Sequence, residues 1–419
     1  MTCCRLFGNS ADKATQIPKG EVGLQDNQSH ADRPTRGSNQ SGMRAYNERL
    51  VLSLLRRNGP TPKVEVARAT GLSAQTVSVI MRALEADGML KKGVRVKGRI
   101  GQPSVPIGLD PNGAFFLGLK VGRRSVELIL IDFAGKVLRH SSEVYAHPTP
   151  SAVMKFTERA LEKMRATLSA TQRSRTAGLG VALPFNMWAW DVASQSLDAW
   201  RDFDIVAALA KFVEGPIYLC NDASAACGAE LVFGAHDKPR EFLYFYIGYF
   251  VGGGLVLDNK LYTGKSGDAG ALGSMPVTGS GTSGQQLLDV ASLSTLEAML
   301  HDAGQSHSHG WNDPAAWQFP RDIRDSWLDA AAKALAQAIR AATCLIDFDT
   351  VMIDGSLPED TRADLVMRTR RALELQPLPG VNIPEVREGT IGADARALGA
   401  ASLPLSDRFL VDRDAFLKG

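Results

Sequence analysis

Residues 114–140 read AFFLGLKVGRRSVELILIDFAGKVLRH, and their pattern decides the fold of the larger part of the chain. Two apolar runs, Phe115 to Val121 and Val126 to Ile131, flank Gly122-Arg123-Arg124. Short runs rich in β-branched and aromatic residues, broken by a glycine-led turn, predict a hairpin. Ala134-Gly135 supplies a second turn and leads into a third strand. Downstream, helical spacing covers roughly 151–171, and GLGVALP (178–184) predicts a buried strand. Further strands are expected at PIYLCND (216–222), EFLYFYIG (241–248) and GGLVLDNKLY (253–262). An amphipathic helix is expected over 330–346, a late strand in TVMIDGS (350–356) and a terminal helix over 394–401. Strands alternating with helices, with glycines at the strand ends, indicate an α/β body of mixed sheets covered by helices.

Upstream of this body the period changes. In NERLVLSLLRRNG (47–59), Leu50, Val51, Leu54 and Leu55 recur at helical spacing until Gly59-Pro60. A second short helix carries Val64, Val66 and Ala67 and closes at Gly71. Ser73 then caps a third, SAQTVSVIMRALEADG (73–88), in which Val77, Ile80, Met81 and Leu84 share one apolar face. MLKKGVRVKG (89–98) and SVPIGLDP (104–111) flank Arg99-Ile-Gly-Gln-Pro103 as strand, turn and strand. Three helices followed by such a hairpin are expected to form a winged helix-turn-helix whose third helix enters a DNA major groove.

Charge points the same way. The whole chain carries a formal +2, whereas residues 43–110 hold twelve basic residues against five acidic ones. Affinity for a polyanion must therefore come from this segment. On the outer face of the third helix stand Ala74, Gln75, Thr76, Ser78, Val79 and Arg82. Glutamine can bridge an adenine edge, arginine a guanine edge or a phosphate, and Ser73, Thr76 and Ser78 can bond either. Lys63 opens the second helix, where side chain and helix dipole both favour a phosphate. Arg95, Lys97, Arg99 and Gln102 of the wing are placed to follow the backbone or probe the minor groove. A basic trihelical segment could equally be a solvated surface for a protein partner.

At 419 residues the chain is expected to hold more than one domain. The expected boundaries are a disordered leader over 1–42, the winged helix-turn-helix over 43–110 and the α/β body over 111–419. The leader is polar, with almost no periodic apolar positions to offset the entropy of ordering. The five cysteines form no disulfide framework, no apolar run reaches the roughly 18 residues of a membrane span, and no secretory core opens the chain. A cytoplasmic protein without a cofactor is expected.

LCNDASAACGAELVFGA (219–235) and FLYFYIGYFVGGGLVLDNKLYTGKSGDAGALGSMPV (242–277) carry a more specific signal. With the preceding head, they resemble the ROK family of repressors, open reading frames and sugar kinases, from about Tyr46 to near the C-terminus. The resemblance implies a two-lobed, actin-like or ribonuclease-H-like fold with a sugar in its cleft, and a homodimer or homotetramer. In the family's kinases the first hairpin carries an acidic residue and a Gly-Gly-Thr turn for metal and phosphate. Here Lys120 stands at the acidic position and Gly122-Arg123-Arg124 replaces the turn. An ammonium cannot bind magnesium, and arginine side chains obstruct backbone approach to phosphate. The second phosphate loop is replaced by Gly248-Tyr249-Phe250-Val251, so phosphoryl transfer, which rests on positioning and charge neutralisation, is not expected.

The same resemblance assigns sugar contact to Asn221 and a hydrogen bond from a ligand hydroxyl to Asp222. Capping of the helix that begins at Ala223 is the alternative for this pair. The family's Gly-Glu-Ile-Gly-His becomes Gly270-Ala271-Leu272-Gly273-Ser274, leaving Ser274 at a position where a histidine meets sugar or zinc. The family's zinc loop corresponds to 279–286, which has no cysteine, so structural zinc is not expected. His301, His307 and His309 read as a solvated loop, with a metal site as the alternative. Asn186, Trp188, Trp190 and Trp200 follow GLGVALP near the expected sugar pocket, and the tryptophans suit either a sugar face or the core.

Three functions remain open on these residues. The first is a repressor or activator that binds double-stranded operator DNA and answers to a small sugar or polyol. The second is an active sugar kinase with an appended DNA-binding domain. The third is a ligand-independent DNA-binding protein whose body serves only as a dimerisation scaffold.

Overall fold

The computed structural model describes residues 40–94, 105–187, 195–235, 239–278, 284–305, 311 and 317–411. Nearly all of the expected leader, the wing tip with Arg95, Lys97, Arg99 and Gln102, and Trp188 and Trp190 lie outside these residues. Among the described residues no helix is long and apolar enough to cross a membrane.

The head comprises α1 (Gln40–Asn58), α2 (Lys63–Thr70), α3 (Ala74–Ala86), β1 (Leu90–Lys92) and β2 (Ile107–Leu109). Gly71 ends α2 at φ 71°, a left-handed turn that costs a glycine little and redirects the chain into α3. Ser73 Oγ accepts the Thr76 N–H at 3.1 Å, and Val77, Ile80, Met81 and Leu84 are buried along one side of α3. β1 and β2 pair antiparallel, Leu90 opposite Leu109, and frame the wing. Ser73→Ala leaves that N–H uncapped and is expected to cost about 1 kcal/mol, read as a lower urea midpoint at unchanged slope.

Lobe I contains β3 (Phe115–Val121), β4 (Ser125–Asp132), β5 (Val137–Val144), α4 (Pro150–Ala166), α5 (Ala170–Ser174), β6 (Thr176–Leu183), α6 (Ile205–Leu209) and β7 (Ile217–Asn221), and leads into α7 (Asp222–Phe233). Lobe II begins with β8 (Phe242–Ile247), β9 (Gly252–Leu257) and β10 (Lys260–Tyr262), followed by the short pair β11 (Pro276–Val277) and β12 (Gln285–Gln286). It continues with α8 (Leu287–Ala291), α9 (Leu293–Asp302), α10 (Arg321–Thr343), β13 (Thr350–Gly355), α11 (Glu359–Glu374) and β14 (Glu385–Glu388), and ends in α12 (Ala395–Phe409).

The sheet of lobe I runs β5-β4-β3-β6-β7 and that of lobe II β10-β9-β8-β13-β14. In each, three antiparallel strands are followed by two parallel ones. One ribonuclease-H-like unit is thus used twice, which makes an actin-like body.

The two last helices are exchanged between the lobes. α7 leaves lobe I and packs Ala226, Cys227 and Ala229 against Phe242, Tyr244, Tyr246 and Val256 of lobe II. α12 leaves lobe II and lays Ala397, Ala401 and Leu405 on Phe116, Ile129 and Ile131 of lobe I. Where the helices cross, a Cβ on Gly399 would stand 1.8 Å from the Ala225 carbonyl oxygen, so only glycine permits this approach.

Two expected helices differ in extent. The helix expected over 151–171 stops at Ala166, because Ser169 and Gln172 form a capping box that starts α5. The terminal helix runs past 401 and through Pro404. Proline has no N–H for the Ala400 carbonyl. That carbonyl instead abuts β6, where a Cβ on Gly180 would lie 1.8 Å from its oxygen.

Candidate DNA interface and interlobe cleft

The outer face of α3 presents Gln75, Val79 and Arg82 exposed, with Thr76 and Ser78 half-buried. Val79 is 54% exposed, a large apolar side chain held in solvent among polar neighbours. Ser73 and Thr76 share a 2.8 Å hydroxyl contact in addition to the cap, so their oxygens are partly engaged within the helix. Lys63 is the first residue of α2 and is half-buried.

The head is fastened to the body through a shared core. Val51, Leu55, Ile80, Met81 and Leu84 are continuous with Phe116, Phe133 and Leu405. Arg56 of α1 enters this seam, donating to the Phe133 carbonyl and lying 5.5 Å from the Phe133 ring and 5.8 Å from Phe233. Burial lowers its pKa to about 10, against the attraction of Asp132. From the body, Arg175 reaches back to the carbonyls of Asp87 (3.1 Å), Asn112 (3.1 Å) and Gly113 (3.3 Å).

In the cleft, the turn after β3 faces the loop after β8. Arg123 lies 5.0 Å from the Phe250 ring and Arg124 5.0 Å from Tyr249. Arg124 also donates to the Tyr249 hydroxyl and to Glu297, each at 3.3 Å. The turn after β3 and the loop after β8 are therefore joined by cation–π and charged contacts.

Lys120 is 3% exposed and spends its ammonium on Ser125 (2.7 Å) and Glu127 (2.9 Å). Burial and then Arg396 push it down to about 8, against the pull of Glu127. Burial tends to raise the Glu127 carboxyl, but His140, Lys120 and Arg396 outweigh it and hold it well below the usual carboxylate range. The bond to Glu127 in turn lifts His140 above its usual 6.5.

A raised histidine stabilises fully below its unfolded value, and its contribution is lost as pH climbs through the folded one. Glu127 works oppositely, contributing above its usual 4.5 and failing on acidification. His140→Gln is therefore expected to lower the urea midpoint near pH 5.5 and leave it almost unchanged at about pH 8.5. The effect is small because the His140 side chain is 46% exposed and screened by solvent.

Asn221 and Asp222 stand together where β7 passes into α7. Asn221 Oδ1 accepts the N–H groups of Ala223 (3.0 Å) and Ser224 (3.3 Å), so the capping role is present. Asp222 Oδ2 meets Arg396 Nη1 of α12 at 3.2 Å, each side chain 14% exposed. The same guanidinium lies 4.8 Å from the Tyr246 ring of β8. Burial works against the charge on Arg396, but Tyr246, Asp222 and Glu127 outweigh it and hold the guanidinium above its usual value.

The other expected ligand contacts are dispersed. Asn186 is exposed at φ 54° beyond β6, and Ser274 is exposed in a short turn of lobe II. For Trp200 the packing alternative is the one realised. It is 4% exposed, its indole donates to the Pro148 carbonyl at 2.6 Å, and its ring meets Phe203 edge-on. A tryptophan satisfied in this way faces the core of lobe I. His301 is exposed beside Asp302, whereas His307, His309 and residues 279–283 lie outside the described residues.

Residues 116–406 match the ROK family, and residues 44–91 match a winged helix-turn-helix DNA-binding family. Protein y4fQ of Sinorhizobium fredii is 28% identical over 374 residues, covering 87% of this chain and 92% of that protein. The xylose repressor of Bacillus subtilis is 23% identical over 244 residues, 57% of this chain and 62% of the repressor, so that alignment spans less than two thirds of it. The crystal structure of a ROK-family transcriptional regulator, a homologue of the E. coli MLC protein, superposes with a TM-score of 0.63 at 20% identity. It covers 88% of this chain and 97% of that one. ROK sugar kinases share the fold of the body as well. The chain belongs to the ROK family, and it is built as the family's transcriptional regulators are, with a winged helix-turn-helix DNA-binding head ahead of the kinase-like body.

Proposed function

We propose that this regulator acts in the cytoplasm, binds operator DNA through α3 and the wing, and senses a small sugar or polyol in its interlobe cleft without phosphorylating it. The observation that carries the reading is the contact between the turn after β3 and the loop after β8, the two places to which the resemblance assigns the kinases' phosphate loops. Arg123 and Arg124 pack on Phe250 and Tyr249, where a kinase needs open backbone amides for a nucleotide. Lys120, bonded to Glu127, stands where the resemblance puts a metal-binding carboxylate. Asp222 remains at the head of α7 as an acceptor for a ligand hydroxyl, in competition with Arg396. The xylose repressor among its relatives is consistent with a carbohydrate effector.

On the DNA side, Gln75 and Arg82 suit base-edge or phosphate contact, and exposed Val79 suits a thymine methyl group. Paired heads of a dimer or tetramer would read two half-sites.

Binding of labelled genomic fragments at low ionic strength, with and without a panel of sugars and polyols, tests both halves. Arg82→Ala is expected to weaken binding by roughly 5- to 150-fold, corresponding to about 1–3 kcal/mol for a lost base contact. A matched ATPase assay is expected to show no turnover. Failure to retain any fragment overturns DNA binding, and sugar-dependent ATP consumption overturns the non-catalytic reading.

A further inference from the structure

We propose that α12 acts as a strut between cleft and head, so that the state of the Arg396–Asp222 pair at its first turn sets how firmly its far end holds α1. The proposal rests on the regulatory reading above and supplies its mechanical path. Fifteen residues of helix span about 22 Å. At the near end Arg396 joins both lobes, paired with Asp222 and lying over Tyr246, whose hydroxyl donates to the Ala393 carbonyl at 3.2 Å. At the far end Phe409 packs edge-on against Phe116 (5.7 Å) and Phe133 (5.0 Å). Phe133 is the ring that faces Arg56 of α1. Two residues on, the Val411 N–H donates to Ser53 Oγ of α1 at 3.0 Å.

Between these ends little can absorb a displacement. A Cβ on Gly118 would lie 2.4 Å from the Ala397 carbonyl oxygen, and one on Gly180 would lie 1.8 Å from that of Ala400. At Gly118 and Gly180, therefore, α12 rests on β3 and β6 backbone to backbone. Close-packed elements of this kind move as units rather than deform. Asp222 is the exchangeable element, since a ligand hydroxyl bonded to its carboxylate competes with Arg396. Such competition changes DNA affinity only if the two states hold the head differently, and the seam at Phe409 and Ser53 is where that difference would arise.

Amide hydrogen exchange on the full chain, paired with DNA-binding titrations on a fragment retained by the unmodified protein, tests the strut. Asp222→Asn is expected to speed exchange at least about fivefold in residues 405–411 and 50–58 and to shift the DNA Kd by about fivefold or more, the lower end of the usual coupling range. Asp329→Asn, which breaks a surface pair with Arg368, is expected to change neither. Phe409→Leu alone should loosen α1, and adding Asp222→Asn to it should change exchange at α1 no further, because both act on one path.

If Asp222→Asn does not fold, Arg396→Lys is expected to give the same pattern at smaller amplitude. Faster exchange confined to residues 222–233 and 393–400, or additive effects of the Asp222 and Phe409 substitutions at α1, overturns the strut. Exchange reports on the strut without DNA, so loss of fragment binding by the unmodified protein would strike the regulatory reading separately.

Discussion

Arg396→Met is expected to destabilise the body by about 3–5 kcal/mol, the range for removing one partner of a buried ion pair. Methionine fills much of the same space, so the loss comes from Asp222 rather than from a cavity. At 14% exposure, that carboxylate is left in the cleft without its 3.2 Å cation. The ring of Tyr246 also loses the charge stacked on it. Two companion variants separate these contributions. Asp222→Asn combined with Arg396→Met removes both charges and is expected to recover part of the loss, since paired removal leaves no orphan. Arg124→Met breaks a pair with Glu297 whose side chains are 50% and 30% exposed, and solvent screening limits its cost to about 1 kcal/mol or less. Urea midpoints of the four proteins decide the matter, and an Arg396→Met cost no larger than that of Arg124→Met would show that the buried pair does not hold the cleft together. Lys120 gives a second readout. Arg396 is one of the causes of its depressed value of about 8, so its titration should move upward in the Arg396 variant.

Much of the fold was legible because its strands are strongly patterned. Phe115–Val121 was expected as a strand and is one, and the expected turn at Gly122-Arg123-Arg124 separates it from Ser125–Asp132. The elements that escaped had weak local signals. β14 is Glu-Val-Arg-Glu at a sheet edge, with a single buried side chain, Val386. α10 begins at Arg321 rather than near 330, since its first turns are rich in charge and only Trp327 and Leu328 there are buried. α12 is expected only over 394–401 and runs on to Phe409 through Pro404, a residue that ordinarily stops a helix. Tertiary contact with β6 overrides that rule here.

The site was legible in part, and one of its omissions had a signal. Lys120 is expected, by resemblance, at the family's acidic position, and its partner follows from hairpin register. With Val121 opposite Val126, the facing ends of the two apolar runs, position 120 falls opposite 127, and Lys120 and Glu127 are indeed cross-strand neighbours. Arg396 left a subtler trace. A cation in the first turn of a helix opposes the helix dipole, and such a placement asks for an anionic partner elsewhere. Nothing local could identify that partner as Asp222, 174 positions away in sequence. The same distance hides the stacking of Arg123 and Arg124 on a loop of the other lobe.

The crossing of α7 and α12 yields the second large effect, because two buried glycines there are expected to respond with opposite sign to the same substitution. In a helix interior, alanine is favoured over glycine by about 0.8–1.0 kcal/mol, so propensity alone predicts a gain at both. Space decides otherwise. A Cβ on Gly228 would meet Leu261 at 3.5 Å and Ser402 at 3.8 Å, ordinary contact distances, and Gly228→Ala is expected to raise stability by up to about 1 kcal/mol. On Gly399 the same atom would lie 1.8 Å from the Ala225 oxygen and 2.3 Å from its carbonyl carbon. Backbone cannot rotate away as a side chain can, so the helices must separate by about an ångström or more. Overpacking of a core costs typically about 1–3 kcal/mol and occasionally more, and this overlap belongs at the upper end. Gly399→Ala is therefore expected to lose about 3 kcal/mol net of the propensity gain. Because the exchanged helices join the lobes at this point, the lost stability should be accompanied by faster amide exchange along both α7 and α12. A Gly399→Ala protein as stable as the parent would mean that the crossing tolerates a wider separation, and close approach of the helices would then not be what sets the angle between the lobes.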